Sequence, residues 1–312
     1  MYRNRTDLKR AAIDMKDNGN TIGLDKRKLI DSFNAAARGY ATVSAMQKYV
    51  GEELVERLGW MKISPRTILD LGSGPGVLSR ALARKFCRAH IVQMDIAENM
   101  LRTSRQSATR LFSKQVYVCA DAESIPLAGQ TTDFVFSNLM LQWCHEPDRL
   151  FDDLARILRP GGLFVFSSLG PDTLTELRES WAAVDELAHV NTFIDMHDLG
   201  DALVRAGFTD PVMEVDFLTL TYNDVSGLMK DLKGLGAHNV NTGRRKSLTG
   251  KKRFIRMQYE YEKRKRNDRI PATYEVIYGH AWAPETNVRK RRLPGEAVIS
   301  VEDLKRTLRK SP

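Results

Sequence analysis

Apolar positions along the chain follow two periods, and from about residue 67 the two alternate. Short branched runs at 67–71, 90–94, 116–120, 133–137 and 163–168 predict buried strands. Between them apolar residues recur every three or four positions, which predicts helices over 77–86, 98–112 and 147–158. In the last of these, Pro147 suits the first turn, Leu150, Phe151, Leu154, Ile157 and Leu158 form one apolar stripe, and Arg159-Pro-Gly-Gly stops the helix. Upstream, Asp25 is an N-cap for a helix carrying Leu29, Ile30, Phe33 and Ala37 and delivering Tyr40, and a second helix spans about Ser44–Leu58. After residue 168 the alternation breaks. Helices are expected over Asp172–Leu187, with Leu174, Leu177, Trp181 and Val184 on one side, and over Met196–Ala206, closed by Gly207. A strand at Val212–Thr221, a helix at Asp224–Leu235, a basic helix at Lys251–Arg266 and a last strand at Ala272–Trp282 complete the pattern. Strand and helix alternating in this way predict an α/β fold, a Rossmann-like, doubly wound, mostly parallel sheet of seven strands. Helical insertions are expected near 172–206 and 223–268. One domain over 26–284 is expected, with a polar extension at 1–25 and a basic tail at 285–312.

The segment Thr67-Ile-Leu-Asp-Leu-Gly-Ser-Gly-Pro-Gly76 carries the first strand into a tight turn that opens a helix, the place where such a sheet binds a nucleotide-like ligand. Gly72, Gly74 and Gly76 let the backbone adopt positive φ and let a ligand approach closely. A dinucleotide turn requires G-x-G-x-x-G with free N–H groups for phosphate. Here the third glycine comes one residue early, Pro75 removes one N–H, and Asp70 puts a carboxylate at the strand end. These changes disfavour an anion and suit a ligand with a cationic amino-acid end and an adenosine end, namely S-adenosyl-L-methionine. Asp95 follows Gly76 by nineteen residues at the end of the second strand, where a carboxylate accepts from both ribose hydroxyls. It could also cap the following helix. Ile96 and Met100 accompany it as cofactor-binding candidates. Asp121, with Ala122 and Glu123, follows the third strand, where a carboxylate can accept from the adenine amino group and a neighbouring N–H can donate to the ring. Asn138, Leu139 and Gln142 lie past the fourth strand, at the mouth where the methyl group should meet its acceptor. The alternative for them is a turn that only caps strand and helix.

Composition narrows the class. The chain has 312 residues and 42% hydrophobic content, enough for a substantial core. No apolar run is long enough to span a bilayer, and Asp7, Asp14 and Asp17 are out of place in a transit peptide. Cys87, Cys119 and Cys144 have no metal-like spacing and are odd in number, so no metal site and a reducing, cytoplasmic setting are expected. The net charge of +9 is unevenly spread, with 4 basic and 13 acidic residues over 171–240 against 20 and 8 over 241–312. That last quarter should attract something acidic, nucleic acid or an acidic protein.

No Ser/His/Asp or metal constellation is present, and methyl transfer needs none. The methyl group moves in one in-line step, so catalysis is positioning and exclusion of water. A carboxylate nucleophile is already ionised at neutral pH and needs no general base.

Beyond this general motif, the chain resembles the malonyl-acyl carrier protein O-methyltransferases of biotin synthesis. The resemblance rests on Ser32-Phe-Asn-Ala-Ala-Ala-Arg-Gly-Tyr40, on Trp181–Phe193 with Asp185, His189, Asn191 and Phe193, and on Lys233-Gly-Leu-Gly-Ala. It continues through Gly243-Arg244 with Leu248-Thr249-Gly250 and through Pro271-Ala-Thr-Tyr-Glu-Val-Ile-Tyr-Gly-His-Ala-Trp282, covering about residues 26–284. It implies methylation of the free carboxyl of a malonyl thioester on acyl carrier protein, or on coenzyme A, which masks the charge so that the chain can be extended towards pimeloyl. The acidic carrier fits the basic last quarter. Within the resemblance, Tyr40 should close over the methyl group, and Arg244, with Lys233 and His189 as lesser candidates, should hold the substrate carboxylate. Two other readings stand beside it. One is a relative acting on a protein arginine in respiratory complex assembly. The other is an RNA methyltransferase, against which stands the scarcity of aromatics among the basic residues beyond Phe254, Tyr259 and Tyr261.

Overall fold

A computed structural model describes residues 24–108, 114–236 and 250–284. Three helices precede the sheet: α1 (Lys26–Ala36), the short α2 (Tyr40–Val43) and α3 (Ala45–Arg57). Asp25 caps α1, its carboxylate accepting from the Lys28 N–H at 3.1 Å. The alternating units follow as β1 (Thr67–Leu71), α4 (Val77–Lys85), β2 (His90–Asp95), α5 (Glu98–Gln106), β3 (Gln115–Cys119), β4 (Thr132–Asn138), α6 (Pro147–Ile157) and β5 (Leu158–Leu169). Helices α7 (Thr175–Ala182) and α8 (Met196–Arg205), strand β6 (Thr209–Tyr222), helices α9 (Val225–Gly234) and α10 (Lys251–Glu262) and strand β7 (Ile270–Trp282) complete the described chain.

The seven strands lie in the order β3-β2-β1-β4-β5-β7-β6, parallel except where β7 runs against both β5 and β6. The chain winds outward from β1 in one direction and from β4 in the other. The carboxyl ends of β1 and β4 therefore flank the switch point, where a crevice opens and ligands bind in such sheets. Burial on both faces explains the nearly continuous apolar strands. On β5, Leu163 and Val165 join the core that includes α3, while Phe164 and Phe166 join the core beneath α6 and α8. The rings of Phe164 and Phe166 stack with centroids 4.9 Å apart. Gly279 on β7 pairs with Phe166, and a Cβ there would come within 2.4 Å of that ring.

Several boundaries differ from the sequence pattern. The helix expected over Asp172–Leu187 forms only at Thr175–Ala182, because its first residues are drawn to β7. The Asp172 N–H donates to Glu275 Oε2 at 2.6 Å and the Leu174 N–H to the Thr273 carbonyl at 2.6 Å. The fifth strand starts directly after α6 and takes in Arg159-Pro-Gly-Gly as an irregularity, since Thr132 pairs with Leu158 and Phe134 with Leu163. The sixth strand runs through Pro211, which an edge position tolerates. The basic helix ends at Glu262, and the chain turns before β7 through Asn267 and Asp268 at positive φ.

Candidate functional site

The cleft lies at the carboxyl ends of β1 and β4, as that topology requires. Its lining includes Gly72, Gly74, Asp95, Ile96, Met100, Asp121, Ala122 and Asn138. Leu29, Phe33 and Tyr40 reach it from α1 and α2, and Leu139, Met140, Trp143 and Cys144 come from beyond β4.

The three glycines perform different tasks. Gly72 is at φ 75, and a Cβ there would meet the Met140 side chain at 2.4 Å. Gly74, at φ 53, has no atom within 4 Å of where a Cβ would stand, so it presents bare backbone to the open cleft. Gly76, at φ 72, lies outside the lining: its missing Cβ would clash with Ser104 Oγ at 1.9 Å, so it packs α4 against α5 and β2. Asp70 is also outside the lining. It is buried, and its carboxylate accepts from Ser79 Oγ. Burial raises the Asp70 pKa to about 7, the Ser79 hydrogen bond opposing and the nearby Asp95 charge adding to the rise.

Asp95 is held by backbone. Its Oδ2 accepts from the Gly74 N–H at 2.8 Å and its Oδ1 from the Ala97 N–H at 2.8 Å. Burial nonetheless raises its pKa to about 6, against the backbone donors that favour the charge. The Ile96 N–H also bears on this carboxylate, which with about four acceptor sites keeps room for a ribose hydroxyl. Two carboxylates reluctant to ionise, half-buried Asp95 and buried Asp70, favour a bound cation.

Across the cleft, Asp121 Oδ2 accepts from Lys26 Nζ at 2.6 Å and its Oδ1 from the Glu123 N–H at 3.0 Å. Glu123 itself points away from the cleft, bonding Lys26 and the backbone N–H groups of His145 and Glu146. Burial alone would raise the Glu123 pKa, but Lys26 and those two donors hold it below the usual range. Lys26 thus fastens α1 to the far wall.

Beyond β4, Asn138 lines the cleft with its side chain committed elsewhere: Nδ2 donates to the Gln47 carbonyl at 3.0 Å and Oδ1 accepts from Ser167 Oγ at 2.8 Å. Leu139 adopts φ 50, a conformation that costs a non-glycine residue about 1–3 kcal/mol and often marks functional sites. Gln142 stands behind the lining, its Nε2 donating to the Leu139 carbonyl at 2.7 Å while its buried Oε1 has no partner among the described residues. Ser73 Oγ is likewise buried and without a partner there.

Tyr40 reaches the lining, and burial followed by the Asp95 charge pushes its hydroxyl well above the usual range. It is therefore a donor and no base. His189 is outside the cleft lining: its ring stacks on Trp181 at 3.7 Å, and its Nε2 meets Asp185 Oδ1 at 2.7 Å. Lys233 is exposed at the end of α9, also outside the lining. Arg244 lies outside the described residues. Sequence reasoning did not single out Lys26, Met140 or Trp143. A spacing argument could not find them, because the tertiary fold alone brings Trp143 edge-on to Phe33, with centroids 5.4 Å apart.

The cleft passes a test of fit for S-adenosylmethionine. The open floor at Gly74 and the remaining acceptor capacity of Asp95 match close backbone approach and a ribose. Residues 69–166 match a family described as a methyltransferase domain. Over 285 residues, 90% of this chain, the sequence is 46% identical to the malonyl-acyl-carrier protein O-methyltransferase of Gallionella capsiferriformans, and the match takes in 97% of that protein. The chain belongs to the malonyl-acyl-carrier protein O-methyltransferase family. A member of the family from Halorhodospira halophila is 38% identical, with 93% of this chain and 99% of that protein covered. Among solved structures, the YcgJ protein of Bacillus superposes with TM-score 0.55 at 13% identity, covering 77% of this chain and all of its own. A putative methyltransferase in complex with the Trm112 activator of Haloferax volcanii gives TM-score 0.54 at 16% identity, over 83% of this chain and 98% of that one. These two show the class I methyltransferase fold. The protein is an S-adenosylmethionine-dependent methyltransferase of that family, and no helix among the described residues is long and apolar enough to cross a membrane.

Proposed function

We propose that this chain methylates the free carboxyl of a malonyl thioester carried on acyl carrier protein, giving the malonyl methyl ester. The observation that carries this reading is 46% identity over nearly the whole length of a relative of that name. When bound, S-adenosylmethionine supplies an electrophilic methyl group on a cationic sulfur. In our reading Asp95 accepts from the ribose hydroxyls, Asp121 from the adenine amino group, and Ile96 and Met100 pack on the base. The depressed ionisation of Asp70 and Asp95 makes the cleft welcome that cation, since binding restores the stability of both charges.

The acceptor needs no base, because a carboxylate is ionised at neutral pH. It needs a partner that fixes one oxygen in line, since an isolated buried charge is costly. Tyr40 offers a donor at the cleft, and Arg244 would offer a bidentate fork. The test is incubation with methyl-labelled S-adenosylmethionine and malonyl thioesters on acyl carrier protein and on coenzyme A. Label in a base-labile ester is expected. Label in base-stable protein or in RNA, with none in the thioester fraction, would replace the reading with an arginine or nucleic-acid one.

A further inference from the structure

Helix α10 has a face that its own packing leaves unused. Met257 and Tyr261 are fully buried, and Tyr261 Oη donates to the Pro271 carbonyl at 2.8 Å, tying the helix to β7. Around the helix from them, Lys252, Ile255, Arg256 and Tyr259 follow at helical spacing and are all exposed. Ile255 is 52% and Tyr259 63% exposed, two apolar side chains side by side on this face. Lys263 Nζ stands 4.6 Å from the centre of the Tyr259 ring, so cations frame the apolar pair at both ends.

The first turn holds Lys251, Lys252 and Arg253 and no acidic residue. A helix N-terminus already carries about half a positive charge, so three cations there oppose the helix rather than support it. Arg253 is answered by Asp185 at 3.5 Å, whereas Lys251, Lys252 and Arg256 make no ion pair among the described residues. The helix packs on α7 and α9. The end of α9 in turn meets the roof of the cleft, with Gly234 against Val43 and Gly236 against Phe33. Helix α10 is thus linked to the roof of the cleft through α9.

We propose that this face of α10 is the docking surface for the acidic acyl carrier. Carboxylates of the carrier would face Lys251, Lys252 and Arg256, and an apolar carrier residue would seat on Ile255 and Tyr259. Such a surface has the anatomy of a transient interface, an aromatic centre within a charged rim that steers encounter. The inference rests on the function proposed above, and the test separates the two.

Steady-state methylation of malonyl-carrier and malonyl-coenzyme A would be compared for wild type, Lys252→Glu/Arg256→Glu and Ile255→Ser/Tyr259→Ser. Arg84→Glu/Lys85→Glu, at the far end of α4, serves as the control for net charge. The charge reversal should raise KM for malonyl-carrier about tenfold or more, with kcat and the coenzyme A reaction within about twofold, and should flatten the salt dependence. The apolar pair should raise the same KM about threefold or more without changing the salt slope. Equal losses on both substrates, an unchanged KM for the carrier, or the same effect from the α4 control would overturn the docking assignment. Should wild type methylate neither thioester, the proposed function falls. Calorimetric titration of holo-carrier into wild type and the α10 variants then decides the docking surface by itself, equal affinities removing it.

Discussion

At the scale of single residues, two carboxylates matter most, Asp95 in the cleft wall and Asp70 buried behind it. If Asp95 holds the ribose as proposed, Asp95→Ala removes those acceptors while leaving the core intact, and charge-assisted bonds are worth about 1.5–3 kcal/mol. Calorimetry should show S-adenosylmethionine binding weakened about tenfold or more, with an unchanged far-ultraviolet spectrum. Full affinity would take Asp95 out of the site. The raised pKa values of Asp70, about 7, and Asp95, about 6, also set a pH dependence. Both lie above the unfolded value, so the folded chain holds protons that the unfolded chain releases, and stability from these groups is greatest at low pH and falls as pH rises through 6 to 7. Affinity for the cationic cofactor runs the other way, tightening over the same window as the carboxylates ionise. Melting and binding measured from pH 5 to 8 should slope oppositely, and Asp70→Asn should remove the upper part of both slopes. Parallel slopes would contradict this account. If Tyr40, whose hydroxyl stays neutral, donates to the reacting carboxylate as proposed, Tyr40→Phe should lower turnover by about tenfold while changing cofactor affinity little. Wild-type turnover would refute that role.

At the scale of elements, the glycine turn does two jobs that an identical residue type conceals. Gly76→Ala must accommodate a Cβ 1.9 Å from Ser104 Oγ at φ 72, disturbing the 2.6 Å bond from Ser104 to Gln93. Thermal unfolding should report a loss of about 3 kcal/mol, combining left-handed strain with a steric clash. Gly74→Ala meets no atom within 4 Å, so the strain alone of about 1 kcal/mol should remain, while cofactor affinity falls as the cleft floor is filled. Equal destabilisation by the two would show that the turn does not divide its work this way. The same element logic explains α7, whose first residues bond to β7 instead of continuing the helix: two backbone N–H groups find strand-side acceptors there, and Leu174 pays with φ 55.

At the scale of the whole molecule, the cofactor cleft and the candidate substrate groups lie on different parts of the chain. Arg244, if it holds the malonyl carboxylate, acts on whatever carries it. Arg244→Ala should therefore lower kcat/KM by about a hundredfold for malonyl-coenzyme A and malonyl-carrier alike, the cost of leaving a charge unpaired. A loss confined to the carrier would move Arg244 from the pocket to the docking surface. His189, by contrast, stacks on Trp181 and bonds Asp185, which also faces Arg253. It thereby helps fix the segment after α7 to the first turn of α10.

The alternating periods along residues 67–169 determined strand and helix, and with them the doubly wound sheet, because short branched runs of five or six residues are too short for a helix, while stripes every three or four residues bury only one helical face. The spacing from Gly72 through Asp95 to Asp121 was equally legible, since a ligand at the carboxyl ends of parallel strands is met by whatever follows each strand. Contacts between distant segments were decided by the tertiary structure alone. Lys26 lies 95 positions from Asp121 yet bonds it, and Gly76 bears on α5 rather than on the cleft. Asn138 spends its amide on Gln47 and Ser167. A sequence pattern reports the face on which a residue lies, whereas the partner it meets there depends on how whole elements pack, and that is settled only when the chain closes on itself.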